Sequence, residues 1–283
     1  MQRVEFLAGF VLHSRPLRET SLLVDVFTPD FGVSRLVARG ARSAKSKIRP
    51  LAQPFRPLLV SWSGRHELKT LTGLEEQGRG YPLAGLELAC AYYLNELLLR
   101  LLPMEAPCAT VFAQYAQSLI TLDEIDDDTQ QLESALRLFE LELLDSLGLV
   151  PDFSNCGRSD SNKSPSNNFD KSASTNVSAG VADQKPSDSG GHNGNAIEKD
   201  KLYRYFPEQG YAAVQSSALN VAIDPRNATP SVDVHGQTLL SLARRQFDSE
   251  RCLREAKHLM RQQLGLHIGR KPLKSREMIA FYQ

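Results

Sequence analysis

Arg35, Arg39, Arg42, Lys45, Lys47 and Arg49 put six cations into fifteen residues, and no Asp or Glu lies between Asp30 and Glu67 to offset them. A polynucleotide matches such a run, because its phosphates are regularly spaced and each contact releases a condensed counterion, so that binding falls steeply with salt. The same run also reads as a solvated loop that binds nothing, and composition leaves the two readings open. Single strands in addition need flat apolar surfaces on which unpaired bases stack. Phe27, Phe31, Phe55 and Trp62 lie in or beside the strand-like runs of this region, and most of them are expected to be core. Phe31, in the turn Pro29-Asp30-Phe31-Gly32, is the one expected to be exposed.

A second cationic series, Arg244, Arg245, Arg251, Arg254, Lys257 and Arg261, has helical spacing, and the run Gly269–Glu277 follows it. Leucines interleave these charges, which suits DNA, the acidic and apolar tail of a protein partner, or a solvated helix face. Signatures of catalysis are missing: the sequence has no Gly-Lys-Ser/Thr phosphate loop, no dinucleotide fingerprint, no serine elbow and no paired-histidine metal motif. The acidic run Asp123, Glu124, Asp126, Asp127 and Asp128 sits between candidate helices without a glycine turn and reads as a connector rather than a cation loop. Cys90, Cys108, Cys156 and Cys252 are too far apart to form half of a zinc site. Reduced thiols and no metal or other cofactor are expected.

The elements that must position these residues follow from period and charge. Residues 1–80 hold 13 Lys/Arg against 7 Asp/Glu and residues 237–283 hold 10 against 4, whereas residues 81–150 hold 2 against 12. Two basic ends therefore flank an acidic middle. Alternating apolar runs predict five strands, at Val4–His13, Ser21–Thr28, Val33–Arg39, Phe55–Trp62 and Glu67–Thr72. Five short strands suit a small closed barrel of the oligonucleotide-binding type, and an SH3-like barrel would read much the same. After Gly80 the period changes to three and four, predicting helices at Leu83–Leu102, Ala106–Leu122 and Gln130–Leu147.

From Ser154 to Asp200 the chain has 27 Ser, Asn, Gly or Asp among 47 residues, so a disordered insertion is expected. A hairpin at Leu202–Phe206 closing near Gly210-Tyr211 is then expected, followed by helices at Gln237–Arg245, Ser249–Leu264 and Ser275–Phe281. The expected organisation is a β + α protein in two domains: residues 1–80 as a five-stranded barrel and residues 81–283 as a mainly α-helical domain that carries the insertion. With no export signal and no apolar run of about 20 residues, a cytoplasmic protein is expected.

Several runs together resemble the RecO recombination-mediator family: Phe10-Val11-Leu12-His13-Ser14-Arg15-Pro16 with Glu19-Thr20-Ser21, Phe27-Thr28, Gly32, and Arg35 to Ser43. The resemblance continues through Tyr93, Asn95-Glu96-Leu97-Leu98, Leu136 to Glu140, Leu147-Gly148, Tyr203-Arg204-Tyr205 and Lys271 to Glu277. It implies an oligonucleotide-binding fold ahead of a helical domain, no catalytic centre, binding of single- and double-stranded DNA, and annealing of complementary strands. It further implies the partner RecR, the tail of single-stranded-DNA-binding protein, and an indirect role in loading RecA onto coated gaps, close to the nucleoid. On that basis phosphate contacts are expected at Arg35, Arg39, Arg42, Lys45, Lys47 and Arg49, with Lys69 added, and the tail at Arg137, Lys257 and Arg261. Some members carry a four-cysteine zinc site near the position of Cys156, which here stands alone, so zinc is not expected. Two alternatives remain: a metal-dependent nuclease whose acids meet in space, and a general RNA-binding barrel module.

Overall fold

A computed structural model of the chain describes residues 3–64, 69–125, 128–153, 196–206, 210–214, 232–269 and 271–282. The alternating region forms β1 (Arg3–Leu17), β2 (Ser21–Thr28), β3 (Gly32–Ala38), β4 (Leu58–Ser63) and β5 (Lys69–Glu76). These close in the order β1-β2-β3-β5-β4, with β4 pairing back onto β1. Every pairing is antiparallel except β3 with β5, where Leu36 lies opposite Lys69. This is the expected five-stranded barrel of the oligonucleotide-binding type. Period two fills it: in β4, Leu58, Val60 and Trp62 are buried, while Leu59, Ser61 and Ser63 face outward.

The strand ends differ from expectation for identifiable reasons. β1 runs on to Leu17 because its pairing with β2 continues to Leu17 opposite Ser21. β4 starts later than Phe55, which takes φ +63 and is followed by Pro57, a residue without an N–H to donate. β5 is displaced toward its C-terminal end, since Glu75 and Glu76 still pair with Leu59 and Leu58.

The helical part comprises α1 (Gly85–Leu101), α2 (Ala109–Glu124) and α3 (Thr129–Ser146), then the small sheet β6 (Leu202–Phe206), β7 (Gly210–Ala213) and β8 (Asp233–His235), then α4 (Gly236–Arg244), α5 (Glu250–Ile268) and α6 (Lys274–Tyr282). The three-residue β8 is too short to show a period in sequence; it pairs with β6 through Tyr203 opposite Val234. α3 starts where Asp128 accepts hydrogen bonds from the N–H groups of Gln130 and Gln131. Of the expected insertion, residues 154–195 lie outside the described residues. Residues 196–200, expected to belong to the insertion, are packed into the fold: Ile197 is buried, and a Cβ on Gly236 would come within 2.0 Å of the Glu198 carbonyl oxygen.

Barrel and helices are joined by a shared core. Phe10, Leu12, Phe27, Val33 and Phe55 of the barrel region belong to the same apolar cluster as the helices. Phe10 meets Tyr115 edge-on with ring centroids 5.2 Å apart, and Phe27 meets Phe112 at 5.4 Å. Gly32 permits the approach: its φ is +58, and a Cβ there would lie 2.0 Å from the Ala106 carbonyl oxygen. The N–H groups of Glu105 and Cys108 donate to the carbonyls of Val33 and Pro29 at 2.9 and 3.0 Å. That docking also explains why α2 begins at Ala109 and not at Ala106. Among the described residues, no helix is long and apolar enough to cross a membrane.

Candidate nucleic-acid interface

Between β3 and β4 the basic segment is folded, and its own apolar residues hold it. Ala41 and Ala52 are buried in the barrel core, with Ile48 and Leu51 packed against them. The Arg42 N–H donates to the Thr20 carbonyl at 2.9 Å, and its guanidinium donates to the carbonyls of Arg18 and Glu19 at 2.8 and 3.0 Å. The segment is thus pinned to the turn between β1 and β2. Arg39, Arg42, Lys45, Lys47 and Arg49 are all exposed, and among the described residues none forms an ion pair with a carboxylate.

Two of the expected phosphate contacts stand apart from that set. Arg35 Nε lies 2.7 Å from Oδ1 of Asp25, a nearly buried carboxylate, so its charge is already engaged. Lys69 points inward with Leu71 and Leu74, its side chain only 4% exposed, its ammonium 2.7 Å from Glu105 and 6.0 Å from the centre of the Phe31 ring. Among the candidate stacking aromatics the core positions fall as expected, and only the exposure expected of Phe31 is corrected. Phe27, Phe55 and Trp62 are buried, and Phe31 packs edge-on against Trp62 at 5.3 Å. Among the described residues of the barrel strands, a ring that reaches solvent is Phe6, which is not among those four.

Around α3, α5 and α6 a second site takes shape. Arg137 of α3 and the distant pair Lys257 and Arg261 of α5 line one cleft of about 20 Å³ together with Tyr93, Arg276 and Ile279. Its volume admits little more than a water or the end of a carboxylate. It adjoins a wider cleft of about 270 Å³, which also includes Glu133 and Lys257 and is floored by Leu253. Arg137 is 3% exposed, so it forms the floor of the cleft and not an open surface. It donates to Glu133 at 3.1 Å and to Glu140 at 2.8 Å, while Lys257 reaches Glu133 and Tyr93 reaches Glu140, each at 2.5 Å. Burial opposes the charge on Arg137, but Glu140, Tyr93 and Glu133 outweigh it and raise its pKa. Burial, and then Glu140, pushes the Tyr93 hydroxyl up as well.

The two carboxylates offset Arg137 and Lys257, and Arg261 and Arg276 are left as surplus positive charge. Arg276 lies 5.8 Å from the Tyr93 ring centre, and one terminal nitrogen of its guanidinium is buried with no hydrogen-bond partner. The cleft therefore favours an anionic group. In the sequence Tyr93 stands only as part of the family resemblance and Arg276 only within the cationic run Gly269–Glu277; the packing of α1 and α6 is what brings both to the cleft.

Other cations of the second series already have carboxylate partners, of which those of Arg245 link two helices. Arg245 reaches Glu142 and Asp145 at 2.5 and 2.6 Å, Arg251 reaches Glu255 at 3.1 Å, and Arg254 lies 3.8 Å from Glu250. Glu96 accepts hydrogen bonds from the N–H and hydroxyl of Ser275 at 2.9 and 2.7 Å, and Arg100 donates to the carbonyls of Lys271 and Pro272 at 3.3 Å. Part of the Gly269–Glu277 run thus fastens α6 to α1. In the acidic run, Asp123 pairs with Arg79 at 2.8 Å, and Asp126 and Asp127 lie outside the described residues. Among the described residues no group of three or more His, Cys, Asp or Glu side chains is arranged to hold a metal ion. Cys156 lies outside them.

Residues 1–76 match the family described as Recombination protein O N terminal, and residues 83–223 match Recombination protein O C terminal. The chain is 38% identical over 270 residues to the DNA repair protein RecO of Serratia proteamaculans, covering 95% of this chain and 91% of that one. It is 39% identical over 277 residues to the protein of the same name from Nitrosococcus oceani, covering 98% and 93%. With that of Methylococcus capsulatus it shares 37% identity over 271 residues, covering 95% and 90%.

Proposed function

Because the chain belongs to the RecO family of DNA repair proteins and has its role in recombinational repair, we propose that it acts there as a non-catalytic mediator. It binds single- and double-stranded DNA, anneals complementary strands and, together with RecR, helps RecA onto gaps coated by single-stranded-DNA-binding protein. It works in the cytoplasm, near the nucleoid, and needs no cofactor. The observation that carries this reading is the folded basic segment, on which Arg39, Arg42, Lys45, Lys47 and Arg49 face solvent without ion-pair partners among the described residues. Five such charges bring two polyanions together by replacing their counterions, and so screen the repulsion that otherwise keeps complementary strands apart. Arg35 and Lys69 are left out of the proposed contact set because Asp25 and Glu105 already neutralise them.

The second cleft supports a grip on the coating protein. An acidic tail ending in an apolar residue would set its carboxylate against Arg261 and Arg276, above the Arg137 floor and beside Lys257, with Leu253 offering apolar contact. Holding the coating protein and the strand at once raises the effective concentration of one site at the other. The test is annealing of complementary oligomers precoated with single-stranded-DNA-binding protein. The intact chain accelerates duplex formation without cleaving either strand, and the combined reversal Arg39→Glu, Arg42→Glu and Lys47→Glu abolishes the acceleration. Strand cleavage with magnesium or manganese, or unchanged annealing by the triple variant, would refute the reading.

A further inference from the structure

We propose that Phe6 is a base-stacking platform, against which one base of a bound single strand lies on the outer face of β1, β4 and β5. This rests on the single-strand binding proposed above and adds a contact that the cations alone cannot supply. Phosphates are common to duplex and single strand, whereas an accessible base face belongs to the single strand.

Packing accounts for a bulge at Phe6 but not for the aromatic ring that the bulge carries. In β1 both Val4 and Leu7 lean on the barrel core, so the two residues between them are displaced outward, and the pairing with β4 shifts between Val4 opposite Trp62 and Leu7 opposite Val60. Phe6 takes φ +53, a left-handed conformation that side chains other than glycine rarely adopt. Its N–H donates to the Ser61 hydroxyl at 3.0 Å, which holds the bulge. The result is a ring 58% exposed, in a barrel whose other aromatic rings, Phe10, Phe27, Phe55 and Trp62, are buried or, in the case of Phe31, packed on Trp62. A residue held in an unfavourable backbone state with its apolar side chain in water points to a contact made outside the fold.

The surroundings of the ring fit a strand of nucleic acid. Ser61 is paired with Gly73, and Ser63 with Thr70 and Arg3, so the neighbouring outer face consists of short hydroxyl side chains and a glycine. A Cβ on Gly73 would meet nothing nearer than the Ser61 side chain at 3.7 Å, which leaves the strip shallow. Arg3 stands at its end, held to Glu5 at 2.6 Å in a pair exposed on both sides, where solvent weakens the attraction and a phosphate can compete. The same barrel domain carries the exposed cations Arg39, Lys45, Lys47 and Arg49, unpaired among the described residues, so a polyanion held by them is the occupant that suits an exposed ring on this domain better than an apolar protein surface.

The test uses the full chain with a labelled oligonucleotide, its duplex, and the same strand made abasic throughout. Phe6→Gly removes the ring and suits φ +53, so folding is preserved. It should raise the Kd for the single strand about 5- to 100-fold, the range for loss of one stacked base, with affinity for the duplex and the abasic strand unchanged. Phe6→Trp should keep the affinity, with its added emission quenched on binding. Wild-type single-strand affinity in Phe6→Gly overturns the proposal. If Arg39→Glu with Lys47→Glu still weakens binding in that case, DNA binding by the basic segment stands and stacking alone falls; if neither variant matters, both fall. An equal loss for the single, duplex and abasic ligands means that Phe6 shapes the barrel, and also overturns it.

Discussion

The side-chain amide of Asn95 donates to the main-chain carbonyl of Leu12 at 2.9 Å, so α1 holds the first barrel strand from 83 residues away. The Asn95 carbonyl oxygen accepts in turn from the Tyr115 hydroxyl at 2.6 Å, and the three groups are buried where barrel and helices share their core. A buried polar group with all its partners fixes one docking angle, whereas apolar contact alone tolerates sliding.

Replacing Asn95 by Leu leaves the Leu12 carbonyl and the Tyr115 hydroxyl buried without partners and should cost about 2–4 kcal/mol of stability in urea unfolding. Trp62, the chain's single tryptophan, is buried in the barrel, so its emission follows the barrel while far-ultraviolet circular dichroism follows the helices. In the wild type the two signals should change together. Separate transitions would show that the shared core does not couple them.

Neutralising Arg39, Lys45, Lys47 or Arg49 singly by alanine should lower the slope of log affinity against log salt for single strands by about 0.7 each. Lys69→Met should leave both affinity and slope unchanged, because the Lys69 ammonium is already paired with Glu105. A salt titration of fluorescence anisotropy measures both. A slope altered by Lys69→Met and unaltered by the other four would reverse the assignment.

At the cleft, Arg137→Met strands Glu140, which is fully buried, and should destabilise the fold by about 3–5 kcal/mol. Any loss of tail binding in that variant is therefore confounded with unfolding. Arg261→Ala combined with Arg276→Ala should leave the thermal midpoint within a few degrees of wild type while weakening an acidic, apolar-ended peptide about 10- to 100-fold. Calorimetric titration with the peptide reads this directly, and undiminished affinity in the double variant would remove the tail from this cleft.

Glu255 of α5 caps the start of α4: it accepts from the His235 N–H at 3.0 Å and the Thr238 hydroxyl at 2.6 Å, with Arg251 at 3.1 Å and the His235 ring at 2.8 Å. Burial favours its neutral form, but these hydrogen bonds outweigh burial and hold its pKa at about 2, below the ordinary 4.5. Depressed on folding, the group contributes stability in full above about pH 4.5 and loses it as the pH falls toward 2. Glu255→Gln should therefore be less stable than wild type near neutrality, by on the order of 1 kcal/mol once solvent screening is counted. That gap should close on acidification. Denaturation midpoints at pH 7 and pH 3 provide the measurement, and a gap that widens in acid would contradict the cap.

Much of this protein was legible from its residues in order. Strand and helix follow from local period, which is why β2 matched its expected bounds and the six helices fell within a few residues of theirs. The surplus of charge at each end is likewise a property of composition, and no folding changes it. Which cations are free to act is a different matter, because it depends on carboxylates distant in sequence. Arg35 and Lys69 look like Arg39 and Lys47 until the barrel brings Asp25 and Glu105 against them. Arg137 differs: its glutamates, Glu133 and Glu140, are close by on its own helix, and what the sequence leaves open is its burial, which the packing of α1, α5 and α6 over α3 decides. Phe6 reads as one more strand aromatic until a bulge held by Ser61 turns it outward. Period and composition act over a few neighbouring residues and need no knowledge of the fold; neutralisation, burial and exposure are set by which surfaces meet, and only the closed barrel and its docking on the helices decide that.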